Sequence, residues 1–208
     1  MSTTEVAAKL VLGPRLAGTA MTSEEFEDVE EYDENYRYEL IHGVLVVTPF
    51  PLEPEADACD ELGYLLHKYQ KEHPQGSALD ATLYTQYVRT RTSHRLADRA
   101  IWTGLGRLPN LRRELPAIVV DFVSEARKDR LRDYIEKRRE YMEAGVAEYW
   151  IIDRFRRTLT VVRNQPGGPQ ELVVRENETY QPPLLPGFEL PLARLLAVAD
   201  DWIQAPAE

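Results

Sequence analysis

Residues 118–153 read IVVDFVSEARKDRLRDYIEKRREYMEAGVAEYWIID, and an aspartate near the beginning of this stretch decides how the fold is interpreted. Asp121 interrupts an apolar run that is otherwise typical of a buried β-strand. Burying an unpaired carboxylate costs on the order of several kcal/mol, so a chain rarely keeps one without a partner. We therefore expect Asp121 to face a bound cation, an arginine, or the solvent at the end of the strand.

The segment after this strand predicts a helix followed by a second strand. Side chains at helical spacing share one face, which comprises Leu131, Tyr134, Ile135, Arg138, Tyr141 and Met142. Gly145 occupies a position where helices commonly end, because glycine readily adopts the left-handed conformation of a C-cap. Residues 147–153, AEYWIID, consist mainly of side chains that favour strands. The stretch as a whole therefore predicts strand, helix and strand.

The remainder of the chain alternates between helical and strand-like segments. Thr22 and Glu25 have the spacing of a capping box, and His42-Gly43 is expected to form the turn of a hairpin in YRYELIHGVLVVTP. Further strands are predicted in ALDATLYTQYVRT, HRLADRAIW and RTLTVVR, and further helices in EADACDELGYLLHKYQKEH and at the end of the chain. This order predicts an α/β domain with a mixed central β-sheet flanked by helices. We assign 1–20 to a loose N-terminal leader and 21–208 to a single domain.

Composition limits the classes of protein that need to be considered. The 208 residues suit one domain and include a single cysteine, Cys59, so no intrachain disulfide can form. No apolar stretch approaches the roughly 18 residues that a membrane span needs. We therefore expect a cytoplasmic protein that does not insert into a membrane.

Charge is distributed unevenly along the chain, whose net charge is −10. Residues 1–88 contain 5 basic and 17 acidic side chains, whereas residues 89–163 contain 18 basic and 11 acidic ones. The net charge argues against a protein that coats nucleic acid nonspecifically. A basic segment within an acidic chain is a hint of a polyanionic partner, although solvated helix faces with mixed charges explain it equally well.

Three acidic residues interrupt strand-like runs: Glu39 in YRYELI, Asp98 in RLADRAIW and Asp121 in IVVDFV. Lys137 lies in the helix after Asp121, at the edge of its apolar stripe, so its ammonium can reach toward the sheet while its stem stays packed. Two or three carboxylates and one lysine are what metal-dependent phosphodiester hydrolysis requires, because carboxylate oxygens bind Mg²⁺ and the metal activates a water molecule. Each residue alone is more commonly structural, so the spacing leaves both interpretations open.

Several segments of the chain resemble the Uma-two family of restriction-endonuclease-like proteins, a branch of the PD-(D/E)XK nuclease superfamily. The resemblance extends from about Met21 to Leu196, and its segments are MTSEEF, YRYELIHGVLVV, ADRAIW, IVVDFVS, KRREYMEAGVAEYWIID and LLPGFELPL. It implies a restriction-endonuclease-like core and a nuclease site dependent on Mg²⁺ or Mn²⁺. In that site Asp98 is the motif aspartate, Asp121 the second acid and Glu39 the upstream acid, and all three are expected to bind metal.

The chain departs from the superfamily pattern at three positions. Ala97 replaces the proline before the motif aspartate, and Asp121 is one methylene shorter than the glutamate that is common there. Position 123, where the pattern has lysine, is Val123. We predict that Lys137 supplies the catalytic cation from the following helix instead, and Arg130, on the same flank and nearer the strand end, is the competing candidate.

The sequence supports three hypotheses about function. The first is a metal-dependent endonuclease that hydrolyses phosphodiester bonds in DNA. The second is a catalytically silent nucleic-acid-binding or regulatory module on the same fold, which the missing strand lysine favours. The third is an interaction protein whose basic segment binds an acidic protein. We also expect a homodimer, from the resemblance and because the stretch YQPPLLPGFELPLARLL offers apolar surface beyond one small core.

Overall fold

The computed structural model describes residues 10–124 and 131–204, which divide into two compact units. Unit 1 lies within Met1–Phe50 and Thr92–Arg95, and unit 2 lies within Pro51–Arg91 and Leu96–Glu208. Strand β6, Ser93–Thr103, contributes its first residues to unit 1 and the remainder to unit 2.

Unit 1 is a small β structure with one short helix. Its elements are β1 Val11–Leu12, β2 Glu31–Tyr32, β3 Arg37–Ile41, β4 Val44–Thr48 and α1 Ser23–Glu27, with a 3₁₀ turn at Pro14–Leu16. The predicted capping box is confirmed, since the Thr22 side chain accepts a hydrogen bond from the Glu25 backbone and the Glu25 carboxylate accepts one from the Thr22 backbone. The predicted hairpin is confirmed as well: His42 and Gly43 join β3 to β4 with φ angles of 50° and 77°, which suit a two-residue turn.

The predicted leader is partly folded into unit 1. Residues 1–9 lie outside the described part of the chain. β1 pairs in parallel with β2, and Leu12 is buried in an apolar cluster with Met21 and Phe26. Residues 10–20 are therefore not loose, because Leu12 provides apolar surface that the small unit 1 core buries.

Unit 2 contains a mixed sheet and the longer helices. Its strands are β5 Leu79–Arg89, the later part of β6, β7 Ile118–Phe122, β8 Glu148–Asp153, β9 Thr158–Arg163 and β10 Gln170–Arg175, together with the short pair β11 Thr179–Tyr180 and β12 Leu190–Pro191. Its helices are α2 Glu53–Glu72, α3 Arg138–Ala144 and α4 Leu192–Gln204, with a 3₁₀ turn at Gly76–Ala78. The strand order is β10-β9-β8-β7-β6, and β5 pairs with β6. Within this sheet β7 and β8 pair in parallel, whereas β6–β7, β8–β9 and β9–β10 are antiparallel.

The two faces of this sheet have separate cores because side chains alternate along each strand. Ile118 and Val120 of β7 pack toward α2 and α4, whereas Val119 lies in the cluster of Tyr141 and Met142 of α3. The predicted α/β class, with a central mixed sheet flanked by helices, is confirmed. Asp121 follows the same alternation and lies on the face that carries α3.

The helix after β7 differs from its prediction in two respects. Residues Arg132–Lys137 form a π-helical turn, and regular α-helix begins at Arg138 and ends as expected at Gly145, whose φ is 98°. Leu131 and Ile135 were predicted to face the core, but they are 50% and 59% exposed. The buried residues of the turn are instead the charged Asp133 and Lys137, because each finds a charged partner inside the protein.

The C-terminal stretch is also placed differently from the expectation that motivated a dimer. Its large apolar residues are buried in the core of unit 2, namely Tyr180, Leu185, Phe188, Leu190, Leu192, Leu195 and Leu196. It therefore completes the chain's own core and offers little spare apolar surface. Among the residues that the structure describes, no helix is long and apolar enough to cross a membrane.

Candidate active site

Two of the predicted acids meet where the pairing of β6 with β7 ends. The antiparallel register pairs Arg99 with Val120, and its continuation would set Asp98 opposite Asp121. The backbone hydrogen bonds between β6 and β7 stop there, and hydrogen bonds from backbone amides to the two aspartate side chains take their place. The Phe122 amide donates to Asp98 Oδ2 at 2.8 Å, and the Asp98 amide donates to Asp121 Oδ1 at 3.4 Å. The two carboxylates are therefore held beside each other at the point where the strands separate.

Lys137 reaches this pair from the π-helical turn. Its ammonium donates to Asp121 Oδ1 at 2.9 Å and to the Leu96 carbonyl at 3.1 Å. The side chains of Lys137 and Asp121 are only 4% and 2% exposed. The partner that the sequence required for a buried Asp121 is therefore a lysine of the following helix.

The second oxygen of Asp121 is bound by Tyr149. The Tyr149 hydroxyl donates to Asp121 Oδ2 at 2.8 Å. Tyr149 is completely buried, and this burial, with the negative charge of Asp121, raises the pKa of the phenol well above its usual value. The hydroxyl therefore stays protonated and remains a donor to the carboxylate. Both oxygens of Asp121 are fixed, one by a cation and one by a neutral donor.

A further acid, Asp133, lies near the ammonium. Its Oδ1 atom is 3.8 Å from Lys137 Nζ and 3.3 Å from Arg132 Nε. Asp133 is 1% exposed. Burial raises its pKa to about 7, the negative charges of Asp121 and Asp98 act in the same direction, and the two cations oppose them.

Two further predicted site residues, Glu39 and Arg130, stay predictions. Glu39 is buried in β3 of unit 1, opposite Val46 of β4, and its role stays a prediction. Arg130 lies outside the described residues, so its competition with Lys137 also stays a prediction.

The chemistry of the two carboxylates fits Mg²⁺, which prefers oxygen ligands. Asp98 and Asp121 supply hard oxygens from one edge of the sheet, and Mg²⁺ is commonly held by one or two carboxylates while it keeps several waters. Across residues 10–124 and 131–204, no group of three or more His, Cys, Asp or Glu side chains is arranged to hold a metal ion. The carboxylates that β6 and β7 would offer a metal ion are those of Asp98 and Asp121, with solvent as further ligands.

The match to a family model decides to which proteins the chain is related. The model described as "Putative restriction endonuclease" matches residues 23–193. The chain belongs to the Uma2 family. A comparison with curated proteins gave no match. Among solved structures, a "putative nuclease belonging to DUF820" from Anabaena variabilis is similar at a TM-score of 0.67 with 16% identity, over 85% of this chain and 97% of that one. At that identity the likeness shows a shared fold.

Several arginines of the basic segment, among the residues that the structure describes, form ion pairs within this Uma2 protein. These pairs include Arg107–Glu114, Arg132–Asp133, Arg138–Glu171, Arg154–Glu55, Arg157–Asp200 and Arg163–Glu148. Arg95 and Arg99 are buried. The hint of a polyanionic partner that the net charge provided is therefore weaker in the folded protein, and the interpretation as mixed surface charges gains support.

Sequence reasoning missed two members of the cluster. Tyr149 belongs to the predicted strand AEYWIID and is buried, but its hydroxyl donates to Asp121, a contact that was not predicted from the sequence. The register of β7 with β8 pairs Val119 with Tyr149, which puts Tyr149 on the face of Asp121. Asp133 was not considered, although its spacing of four residues from Lys137 was a signal that the two could interact on a helix.

Proposed function

We propose that this Uma2 protein is a metal-dependent nuclease that hydrolyses phosphodiester bonds in DNA, with its active site at Asp98, Asp121 and Lys137. The observation that carries the proposal is the ion pair of Lys137 with Asp121, 2.9 Å long and buried beside Asp98. It supplies, from the helix, the acid and lysine combination that position 123 cannot provide. Membership in a family described as restriction endonucleases supports the same chemistry.

In the proposed site, Asp98 and Asp121 hold Mg²⁺ or Mn²⁺. The metal, when bound, activates a water molecule and neutralises charge that develops on the phosphate. Glu39, the upstream acid of the family pattern, is proposed to take part as well, which Glu39→Gln tests directly.

The side chains of the site have separate tasks in the proposed reaction. The ammonium of Lys137 provides positive charge beside Asp121 and orients either the attacking water or the scissile phosphate. Tyr149 fixes the direction of the Asp121 carboxylate, and the Phe122 amide fixes that of Asp98. Because these contacts are made inside the protein, the acids are held in place before substrate arrives.

A catalytically silent nucleic-acid-binding or regulatory module is the second candidate function. The observation that favours it is that both oxygens of Asp121 already accept hydrogen bonds, from Lys137 and from Tyr149. A metal ion would have to share an Asp121 oxygen with one of these donors or displace that donor. The two candidates differ in metal affinity and in cleavage.

The deciding experiment combines metal titration with DNA cleavage. Calorimetric titration with Mn²⁺ and cleavage of a supercoiled plasmid in Mg²⁺ are measured for the parent and for Asp98→Asn and Asp121→Asn, with Asp201→Asn, an exposed aspartate, as the control. The nuclease proposal expects metal binding and cleavage in the parent and the control only. A parent that binds DNA with a steep salt dependence but neither binds metal nor cleaves would establish the silent module instead.

We further propose a homodimer, formed through β10 rather than through the C-terminal stretch. β10 ends the strand order of unit 2, and Leu172 and Val173 are 42% and 48% exposed. An antiparallel pairing of two copies centred on Val173 would set Glu171 of one copy opposite Arg175 of the other, twice by symmetry. Light scattering of the parent tests the dimer. Arg175→Glu should dissociate it, and the added change Glu171→Arg should restore it.

A further inference from the structure

Asp133 is a buried acid that neither the family pattern nor the proposed metal site uses. It is the second residue of the π-helical turn that ends at Lys137, and its carboxylate lies 3.8 Å from the ammonium of that lysine. An ammonium has three N–H donors. Asp121 Oδ1 and the Leu96 carbonyl accept two of them, at 2.9 and 3.1 Å, and Asp133 Oδ1 lies at 3.8 Å. The ammonium thus lies among two carboxylates and one carbonyl.

We propose that Asp133 is a positioning residue that holds the Lys137 ammonium against Asp121. The proposal rests on the proposed nuclease function of Lys137. Four rotatable bonds separate the ammonium from the backbone, so one ion pair alone leaves it several orientations. A second carboxylate near the ammonium, that of Asp133 at 3.8 Å, restricts them. Asp133 is paired with Lys137 and Arg132 and is not one of the proposed metal ligands, so in this proposal it acts only through Lys137.

Stability alone does not account for a carboxylate at this position. Desolvating a carboxylate is unfavourable, and replacing buried ion pairs with apolar side chains of similar volume is often neutral or stabilising. The local backbone indicates a specialised arrangement as well, since π-helical turns occur frequently at functional sites. Here the turn places both Asp133 and Lys137 inside, while Ile135 between them is exposed.

The experiment compares Asp133→Asn, which keeps the size of the side chain and removes its charge, with Glu136→Gln at an exposed position of the same turn. In plasmid cleavage we expect Asp133→Asn to lower kcat by about 10- to 100-fold, the range for a slightly misplaced reacting group. KM should stay unchanged, since uniform binding of the substrate is not affected. Glu136→Gln should behave as the parent.

A double-mutant cycle shows whether Asp133 acts through Lys137. In the Lys137→Met background, Asp133→Asn should cause no further loss of kcat, because the group that it positions is absent. Independent losses that multiply would overturn the proposal. So would an Asp133→Asn protein that cleaves as fast as the parent.

A spectroscopic measurement separates this proposal from the nuclease proposal. With ¹⁵N-labelled lysine, the buried Lys137 ammonium should give a protected signal in the parent, identified by its loss in Lys137→Met. Asp133→Asn should broaden or abolish that signal, and Asp133→Glu, which retains the charge, should restore it in part.

If the parent cleaves no DNA, the nuclease proposal fails and this spectrum alone decides the positioning role. An unchanged Lys137 signal in Asp133→Asn would overturn it. If Asp133→Asn does not fold, Asp133→Ser, which also removes the charge, is measured in its place, and a signal and kcat identical to those of the parent would overturn the proposal.

Discussion

The Lys137 ammonium lies 2.9 Å from Asp121 Oδ1, and both side chains are almost completely shielded from solvent. The two residues are 16 positions apart in sequence, and they come from a helical turn and a strand end. Two desolvated charges of opposite sign depend on each other, because either one alone in the interior would be strongly unfavourable. This dependence makes the pair accessible to measurements of stability as well as of activity.

We predict that Lys137→Met lowers the free energy of unfolding by about 3–5 kcal/mol at neutral pH, because it leaves Asp121 buried without its cation. The control is Arg139→Met, two residues later. The Arg139 side chain is 60% exposed, and its contact with Glu143 is long, at 4.0 Å. A surface pair of this kind contributes about 0–1 kcal/mol. Urea unfolding of both variants measures the difference. Equal losses would contradict the importance of the buried pair.

Tyr149→Phe removes the neutral donor to Asp121 and retains the ring. Hydrogen bonds to charged groups contribute about 1.5–3 kcal/mol, so we expect a loss of stability in that range. If the proposed function holds, cleavage should also weaken, since Asp121 loses the contact that fixes its direction. Tyr64→Phe, at a tyrosine that is 53% exposed, is the control for removal of a hydroxyl. A Tyr149→Phe protein as stable as Tyr64→Phe would show that the bond to Asp121 contributes little.

The strands and turns of this fold were predictable because local sequence determines them. His42-Gly43, the capping box at Thr22 and the C-cap at Gly145 are confirmed, since each depends on residues within a few positions of one another. The prediction that Ile135 lies on the buried face of the helix after β7 was wrong, since its side chain is exposed. Apolar periodicity assumes that a helix buries its apolar stripe, and here a charged cluster on the sheet attracts the polar side instead.

Pairwise partners within the site were harder to predict than its members. Asp98, Asp121 and Lys137 were selected from their positions in the sequence, and the structure brings these three together. Tyr149 was missed because a tyrosine in an apolar strand gives no sign of where its hydroxyl points. Its bond to Asp121 depends on the register of β7 with β8, which no local pattern determines.

Gly63 of α2 should tolerate no side chain, because the Arg99 guanidinium packs against it. A Cβ atom at this position would lie 2.5 Å from Arg99 Nη2, and that group is held in place by the Cys59 carbonyl at 2.8 Å. We expect Gly63→Ala to destabilise the protein by about 1–3 kcal/mol through overpacking. Gly167→Ala is the matched control, since nothing lies within 4 Å of its Cβ position. Thermal unfolding of the two variants tests the contact, and a neutral Gly63→Ala would show that Arg99 can move.

Asp133 should make the stability of the protein depend on pH between about 4 and 7. Its pKa rises from an ordinary 3.8 to about 7 in the folded protein, because of burial and the charges of Asp121 and Asp98, against the opposing effects of Lys137 and Arg132. The folded state therefore holds a proton that the unfolded chain releases over this range. An acid with a raised pKa contributes stability that is fully present below 3.8 and is lost as the pH rises through about 7.

Asp133→Asn removes this titration, so the stability of the variant relative to the parent should increase from pH 4 to pH 8. The change should be on the order of a few kcal/mol, since each unit of pKa difference corresponds to about 1.4 kcal/mol. Urea unfolding of both proteins across this range measures it, with Glu136→Gln as the exposed control. A difference between Asp133→Asn and the parent that is the same at every pH would mean that Asp133 is ionised in the folded state throughout. Lys137 would then stabilise its charge fully, and burial would not raise its pKa.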